Sequence, residues 1–197
     1  MSKHWRYNLI LGSASPRRRS LLKALDIDFE VFSPTGIDES FSAEMPANEV
    51  PEFLSKKKSY AILPLLPEDT LLITADTVVI LQGEIFGKPK NKIEARRMLH
   101  SLSGKVHSVI TGVCLSTKDR QVSFSEETKV KFACLTDNEI DYYIEHYKPF
   151  DKAGSYGIQE WIGFVGVERI EGDFNNVVGL PVYRLYKALC EYFDFNK

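Results

Sequence analysis

Once the apolar residues are set aside, the polar side chains that no surface or turn pattern explains form a short set. They are the loop from Ser13 to Arg18, Glu39, one of the lysines 56 to 58, Asp76, Lys88 and Lys152. Cations outnumber carboxylates among them. A triphosphate carries about four negative charges near neutral pH, and a metal ion normally shares the work of neutralising it. Carboxylates for a divalent cation, with lysines and arginines for phosphate oxygens, make a coherent phosphoryl-transfer site. No GxxxxGK followed by Ser or Thr occurs, so a P-loop is excluded.

The elements that must position this set start with Leu9-Ile10-Leu11-Gly12-Ser13-Ala14-Ser15-Pro16-Arg17-Arg18-Arg19. A strand-type run stops at Gly12, and small residues follow. Pro16 then opens a helix with Ser15 as its N-cap, a position where the missing N–H of proline costs nothing. Leu21, Leu22 and Leu25 supply its apolar stripe. Free N–H groups and the positive helix end make such a loop an anion site. Three arginines in the first turn oppose the dipole, and a bound anion would reverse that cost. The plainer alternative is a basic, exposed helix start that binds nothing.

Thr70 to Leu81 is the most apolar stretch and reads as a central strand, broken or bent at Asp76. A carboxylate there is expensive unless it is paired, metal-bound or at an open strand end. The alternative is a turn aspartate, although Ala75, Val78 and Val79 are poor turn formers. A helix over Glu49–Leu63 precedes it, with Val50, Phe53, Leu54 and Ala61 on one face. By helical angle Lys57 lies near the middle of that face and Lys58 at its edge. A cation on an inward face needs an anion or a route to water.

The rest of the chain reads as alternating strands and helices. Phe29–Phe32 is a short strand, and an acidic loop over Thr35–Asn48 carries Glu39. Gln82-Gly83 turns into Glu84–Phe86. Asn91 caps a helix to Leu102, with Glu94 at the capping-box position, and Thr136 with Glu139 opens another. His107–Leu115 and Val122–Leu135 alternate as strands. Ile162–Ile170 reads as a strand, Asp173–Asn176 as a turn, and the last helix ends near Phe193. The class is α/β or α+β around a mixed sheet, with parallel crossovers in the first half and hairpins in the second.

The chain has 197 residues, 44% of them hydrophobic, which suits one large domain or two lobes sharing a sheet. A net charge of −2 gives no global attraction to nucleic acid or anionic lipid, so an anion site must be built locally. The three cysteines, Cys114, Cys134 and Cys190, are scattered and form no CxxC, which argues for a reducing compartment. His4, His100, His107 and His146 show no metal-ligand spacing. The first apolar segment is too short for a signal peptide core, and no run is long enough to span a bilayer. A cytoplasmic protein without a membrane partner is the expectation.

Six blocks of the chain, in order, resemble the Maf family of septum-formation-type nucleotide pyrophosphatases. They are Gly12–Arg18, Ala75–Val78, Gly87-Lys88-Pro89, Thr111-Gly112-Val113, Asp151–Gln159 and Asn176–Pro181. The resemblance runs from about Leu9 to Leu189. It implies a single Maf-like domain over residues 1–197, with an elongated mixed sheet flanked by helices, two lobes around a central cleft, and likeness to inosine triphosphate pyrophosphatase folds. It also implies a hydrolase cutting nucleoside triphosphates between the α and β phosphates with a divalent cation, Mg²⁺ or Mn²⁺, and it suggests a homodimer.

Carried over by position, the resemblance makes Asp76 the catalytic carboxylate and proton acceptor, and Glu39 with Asp76 the metal-holding acids. Ser13, Arg18, Lys58, Lys88 and Lys152 match the phosphate-binding set. The alignment favours Lys58 where the helical angle favours Lys57. Arg17, Thr77 and Gln159 are similar to the subfamily acting on dTTP and UTP. A glutamine amide both donates and accepts, which suits the edge of a uracil or thymine ring. Glu160 departs from the pattern, standing where a small residue is usual.

Two rivals follow from the same residues. A nucleotide-binding regulator of cell division would use the cations and the loop without catalysis, but would gain nothing from two carboxylates beside its ligand. Nucleic-acid binding through Arg17–Arg19 lacks the broad basic stripe it needs.

Overall fold

The computed structural model describes residues 5–195. The chain runs β1 (Asn8–Leu11), α1 (Pro16–Lys23), β2 (Glu30–Val31), α2 (Val50–Ile62), β3 (Thr70–Leu81), β4 (Glu84–Phe86), α3 (Lys92–Leu102) and β5 (Val106–Ser116). It continues through β6 (Gln121–Phe132), α4 (Asp137–Tyr147), α5 (Trp161–Gly166), β7 (Val167–Glu171), α6 (Phe174–Val178) and α7 (Val182–Phe193). The strands form one seven-stranded mixed sheet in the order β2-β1-β3-β5-β6-β7, with β4 paired to β3 off that path. β1 is parallel to both β2 and β3, while β3–β4 and β6–β7 are antiparallel. The mixed α/β class expected from the pattern is the one observed, with parallel pairing of β1 and antiparallel pairing of β6 with β7.

Two compact units divide the chain: residues 1–76, 111–126 and 179–197 form the first, and residues 77–110 and 127–178 the second. β3, β5 and β6 each pass from one unit into the other, and β3 does so between Asp76 and Thr77.

The first unit buries Leu9, Leu11, Leu71, Ile73, Val113 and Leu115 from its strands against Leu22 of α1 and Leu185, Leu189 and Phe193 of α7. Fully apolar runs in β1 and β3 are what strands covered on both faces require. The register pairs Ile10 with Leu72 and Leu11 with Ile73, and Gly12 N–H then donates to Ile73 O at 2.7 Å. A side chain at Gly12 would meet Thr74 Cγ2 at 2.9 Å and Ile62 Cδ1 at 3.0 Å, so the strand leaves the sheet where a larger residue would make those side chains shift. α1 ends at Lys23, which puts Leu25 beyond the helix it was expected to serve.

The second unit is built around Val79, Phe86, Leu99, Leu102, Val109, Phe132, Tyr143 and Ile162. α3 and α4 start as their caps predict. Asn91 Oδ1 accepts from Glu94 N–H at 2.9 Å, although Glu94 answers to Lys90 N–H rather than to Asn91. The Thr136–Glu139 box is reciprocal.

Two expectations fail here. Ile162–Ile170 is not one strand: α5 occupies Trp161–Gly166 and only Val167–Glu171 is extended. An apolar run of this length fits a buried helix as well as a strand. Glu160, extended at the N-cap, leads into a turn closed by Gly163 N–H on Glu160 O at 2.9 Å. The turn expected at Asp173–Asn176 is the start of a short helix, α6, in which Asn176 is buried and donates to Val109 O at 3.0 Å.

His107, on β5, is buried with Tyr156 and Phe132 in edge-on ring contacts, and its Nε2 lies 2.8 Å from Tyr156 Oη. Burial lowers its pKa to about 4. The folded value lies below the unfolded value of about 6.5, so the unfolded chain takes up the proton first. The stability is therefore complete above about pH 6.5 and is lost as pH falls towards 4, by about 3 kcal/mol in all. Urea midpoints measured between pH 7.5 and 4.5 should fall with pH in the parent, and the slope should flatten in His107→Gln. An unchanged slope in the variant would assign the pH dependence to other groups.

No described helix is long and apolar enough to cross a membrane. The described cysteines, Cys114, Cys134 and Cys190, are all free thiols.

Candidate active site

In the first unit the loop after β1 and the start of α1 fold onto a single arginine. Ser15 caps the helix, its Oγ accepting from Arg18 N–H at 3.4 Å, with Pro16 at the first helical position as expected. Ser13 is buried, and its Oγ accepts from Ser15 N–H and from an Arg18 Nη–H, both at 3.3 Å. Arg18 Nε–H donates to Gly179 O at 2.8 Å, so the guanidinium is held across the loop rather than extended into solvent. Burial pulls its pKa down; Asp76 raises it, Arg17 lowers it, and Glu39 raises it by less. Two carboxylates are thus close enough to Arg18 to offset part of the cost of burying its charge.

The lysines of α2 separate by face. Lys56 pairs with Glu52 at 2.7 Å one turn back. Lys57 donates to Asp38 Oδ2 at 2.6 Å and to Ser40 O at 2.8 Å on the acidic loop. Lys57 and Ser40 hold the exposed Asp38 carboxyl down to about 2. Lys58 is the inward one, with 13% of its side chain exposed against 29% for Lys57. Its Nζ lies 2.5 Å from Asp76 Oδ1 and 3.1 Å from Glu39 Oε1. The helical-angle argument for Lys57 is therefore corrected: the acidic loop draws Lys57 outward, and the charge buried in β3 draws Lys58 in.

β3 runs unbroken through Asp76, where a break or bend was expected. The ammonium of Lys58 neutralises the carboxylate in place, so the strand needs no turn to carry it to water. Thr74 Oγ1 donates to Ser55 O at 2.7 Å, a buried bond that ties α2 to β3 one turn from Lys58.

In the second unit, Thr77 continues β3 and is half-buried, while Lys88 is exposed in the segment after β4. Gly154 N–H donates to Gly87 O at 3.1 Å, which joins that segment to the turn following Lys152. Lys152 is buried, with its Nζ 2.8 Å from Asp151 Oδ1 and 3.1 Å from Glu160 Oε1. Gln159 lines a cavity of about 330 Å³ with Ile158, Phe164, Val167 and Phe174, and its Oε1 is buried without a hydrogen-bond partner. Reading the sequence missed Glu160 as the second carboxylate on Lys152. In the sequence Glu160 reads as a departure that could alter the mouth of the site, and no periodicity connects it with Lys152 or with Tyr143.

Ser13, Arg18, Glu39, Lys58 and Asp76 are thus grouped in the first unit, with Arg17 on the same helix start. Thr77, Lys88, Lys152 and Gln159 belong to the second. Among the described residues no three His, Cys, Asp or Glu side chains form a metal-ligating group. His100 faces Asp137 and His146 faces Tyr142 O, while His4 lies outside the described residues.

A strand–loop–helix start holding Arg18, with a lysine bridged by two carboxylates, on a mixed sheet, defines an α/β protein with a charged centre. The chain belongs to the Maf-like protein family, which matches residues 8–192. It is 54% identical over 184 residues to a dTTP/UTP pyrophosphatase of Parabacteroides distasonis, covering 93% of this chain and 95% of that protein. It is 50% identical over 193 residues to a dTTP/UTP pyrophosphatase of Porphyromonas gingivalis, covering 97% of each. Among solved structures, the Staphylococcus aureus Ham1 protein aligns with 64% of this chain and 72% of its own, at 16% identity and a TM-score of 0.49.

Proposed function

We propose that this chain hydrolyses dTTP and UTP between the α and β phosphates, releasing the nucleoside monophosphate and pyrophosphate. The observation that carries the reading is the Asp76 carboxylate held 2.5 Å from Lys58 Nζ and within electrostatic reach of Arg18. Similarity over nearly the full length to proteins named dTTP/UTP pyrophosphatase supplies the substrate class.

Glu39 and Asp76 are the acids that would hold a divalent cation, Mg²⁺ or Mn²⁺. Their oxygens already approach one point cation, Lys58 Nζ, at 3.1 and 2.5 Å. Mg²⁺ sites often use only one or two carboxylates, with water and phosphate oxygens completing the shell. Such an ion supplies Lewis-acid neutralisation of charge on the phosphoryl oxygens.

The chain's own groups do the rest. Asp76 accepts the proton of the attacking water. The Ser13–Arg18 loop binds the phosphate tail through its N–H groups and the Arg18 guanidinium, and Lys58 adds a fixed positive charge. Lys88 and Lys152 take phosphate oxygens, and Arg17, Thr77 and Gln159 select the base. The unpartnered Oε1 of Gln159 is an acceptor suited to the ring N3–H of uracil or thymine.

A panel of nucleoside triphosphates with Mg²⁺ or Mn²⁺ tests this, scoring pyrophosphate and orthophosphate separately. UTP and dTTP should give UMP and dTMP with one pyrophosphate each. Orthophosphate release, or preference for a methylated guanine nucleotide, would overturn the assignment.

A further inference from the structure

Glu160 stands outside the roles assigned so far, yet it is bonded to one of the residues that has a role. Its carboxylate divides between two partners: Oε1 lies 3.1 Å from Lys152 Nζ, and Oε2 accepts from Tyr143 Oη–H. Tyr143 is wholly buried, and its pKa is raised by burial and then by Glu160, so the phenol remains a donor. The same phenol oxygen accepts from Gly157 N–H at 2.9 Å, which pins the turn between Lys152 and Glu160. A side chain at Gly157 would meet Glu160 Cδ at 2.8 Å and Lys152 Cε at 3.1 Å, so the turn closes directly over the pair.

The two carboxylates on Lys152 are not equivalent. Asp151 has 56% of its side chain exposed and Glu160 only 21%, while Lys152 itself keeps 9%. Water screens the Asp151 pair far more than the Glu160 pair. An ammonium this far out of water needs a desolvated counter-charge, and Glu160 is the one that supplies it. An ammonium also has three N–H donors, and two acceptors already face this one. A phosphate oxygen arriving at Nζ meets a cation whose charge Glu160 offsets and whose geometry Glu160 fixes.

We infer that Glu160 is a positioning residue that sets how strongly Lys152 holds a polyanion, restraining affinity for the triphosphate tail in exchange for a fixed ammonium. The inference rests on the reading of Lys152 as a phosphate-binding residue. Tyr143 keeps the Glu160 carboxylate in register.

The test is calorimetric titration of the full chain with inorganic triphosphate, alongside kcat and KM for UTP. Glu160→Gln keeps the shape and the bond to Tyr143 but removes the charge. It should tighten triphosphate binding about three- to tenfold and lower KM, with kcat changed by less. Glu160→Ser, which removes the charge and the bond together, should tighten it as well and stands in if the glutamine variant does not fold. Tyr143→Phe leaves every charge in place and should not tighten it.

Unchanged or weaker binding in the neutral variants would overturn the inference, as would equal tightening in Tyr143→Phe, which would point to a loosened turn. Lys152→Met separates this from the parent reading. If that variant binds triphosphate as well as the parent chain does, the phosphate role of Lys152 fails first, and the role of Glu160 falls with it.

Discussion

Asp76→Asn should cut turnover of UTP by about a thousandfold or more while the chain stays folded and still binds nucleotide. The amide has nearly the shape of the carboxylate, so its oxygen can still accept from Lys58 Nζ, now 2.5 Å from Asp76 Oδ1. What it loses is the charge and the capacity to take a proton. The loss falls where two cations, Lys58 and Arg18, would then face one carboxylate fewer, with Glu39 remaining. Two quantities therefore separate. The rate collapses because no base remains, whereas affinity for a polyanion, titrated without divalent cation, holds or rises because one negative charge has left the phosphate side. Pyrophosphate release gives the first and calorimetric titration the second, with circular dichroism reporting the fold. A variant with normal kcat would remove Asp76 from the chemistry. A variant that neither turns over nor binds metal-free nucleotide would make it a support of the charged cluster instead.

The carboxylate in β3 was legible because it broke a physical rule. A charge in the most apolar stretch of a chain demands a partner, and the partner had to be one of a few cations. Which cation it was did not follow from helix geometry. Lys57 and Lys58 are a helical step of about 100° apart, and the choice between them was made by groups distant in sequence, Asp38 on one side and Asp76 on the other. The strand–loop–helix of Ser13–Arg18 was legible for a different reason. Its cap, proline and glycine act within a few residues, so the signal is local.

The errors fall where the signal was not local. Residues Ile162–Val165 are apolar enough for a strand or a buried helix, and a short stretch cannot distinguish periods of 2 and 3.6. Here the backbone arbitrates, because Gly163 passes so close to Ile158 O that a side chain would sit 1.8 Å from it. The pairing of Glu160 with Lys152 was beyond reach for the same reason. A charged pair across a turn leaves no periodic trace, and its two members differ in exposure only once the fold exists.

Gly112→Ala should be the most damaging single-methyl change in the first unit. Gly112 lies in β5, in the buried block Thr111-Gly112-Val113, and its backbone is not in a conformation reserved for glycine. Space is the constraint. A methyl group there would stand 2.2 Å from Glu52 N, 2.3 Å from Pro51 C and 2.4 Å from Glu52 Cα. These are backbone atoms in the first turn of α2, which no rotamer change can move. The helix must withdraw from the sheet by about 1 Å or more to restore van der Waals contact. That is the helix whose Ser55 O takes the Thr74 hydroxyl and whose Lys58 reaches Asp76. The expected cost is about 3 kcal/mol of stability, or about 6–12 °C in Tm. A displacement of about 1 Å at Lys58 should also lower kcat/KM by about ten- to a hundredfold at temperatures where the variant is still folded. Gly87→Ala is the matched control: a methyl group there meets nothing within 4 Å, and Tm should hold to within about 2 °C. Denaturant unfolding and turnover measured on the same preparations decide it. If Gly112→Ala unfolds no earlier than Gly87→Ala, α2 does not rest on β5 at this point, and the route by which the sheet aims Lys58 at Asp76 must be sought elsewhere.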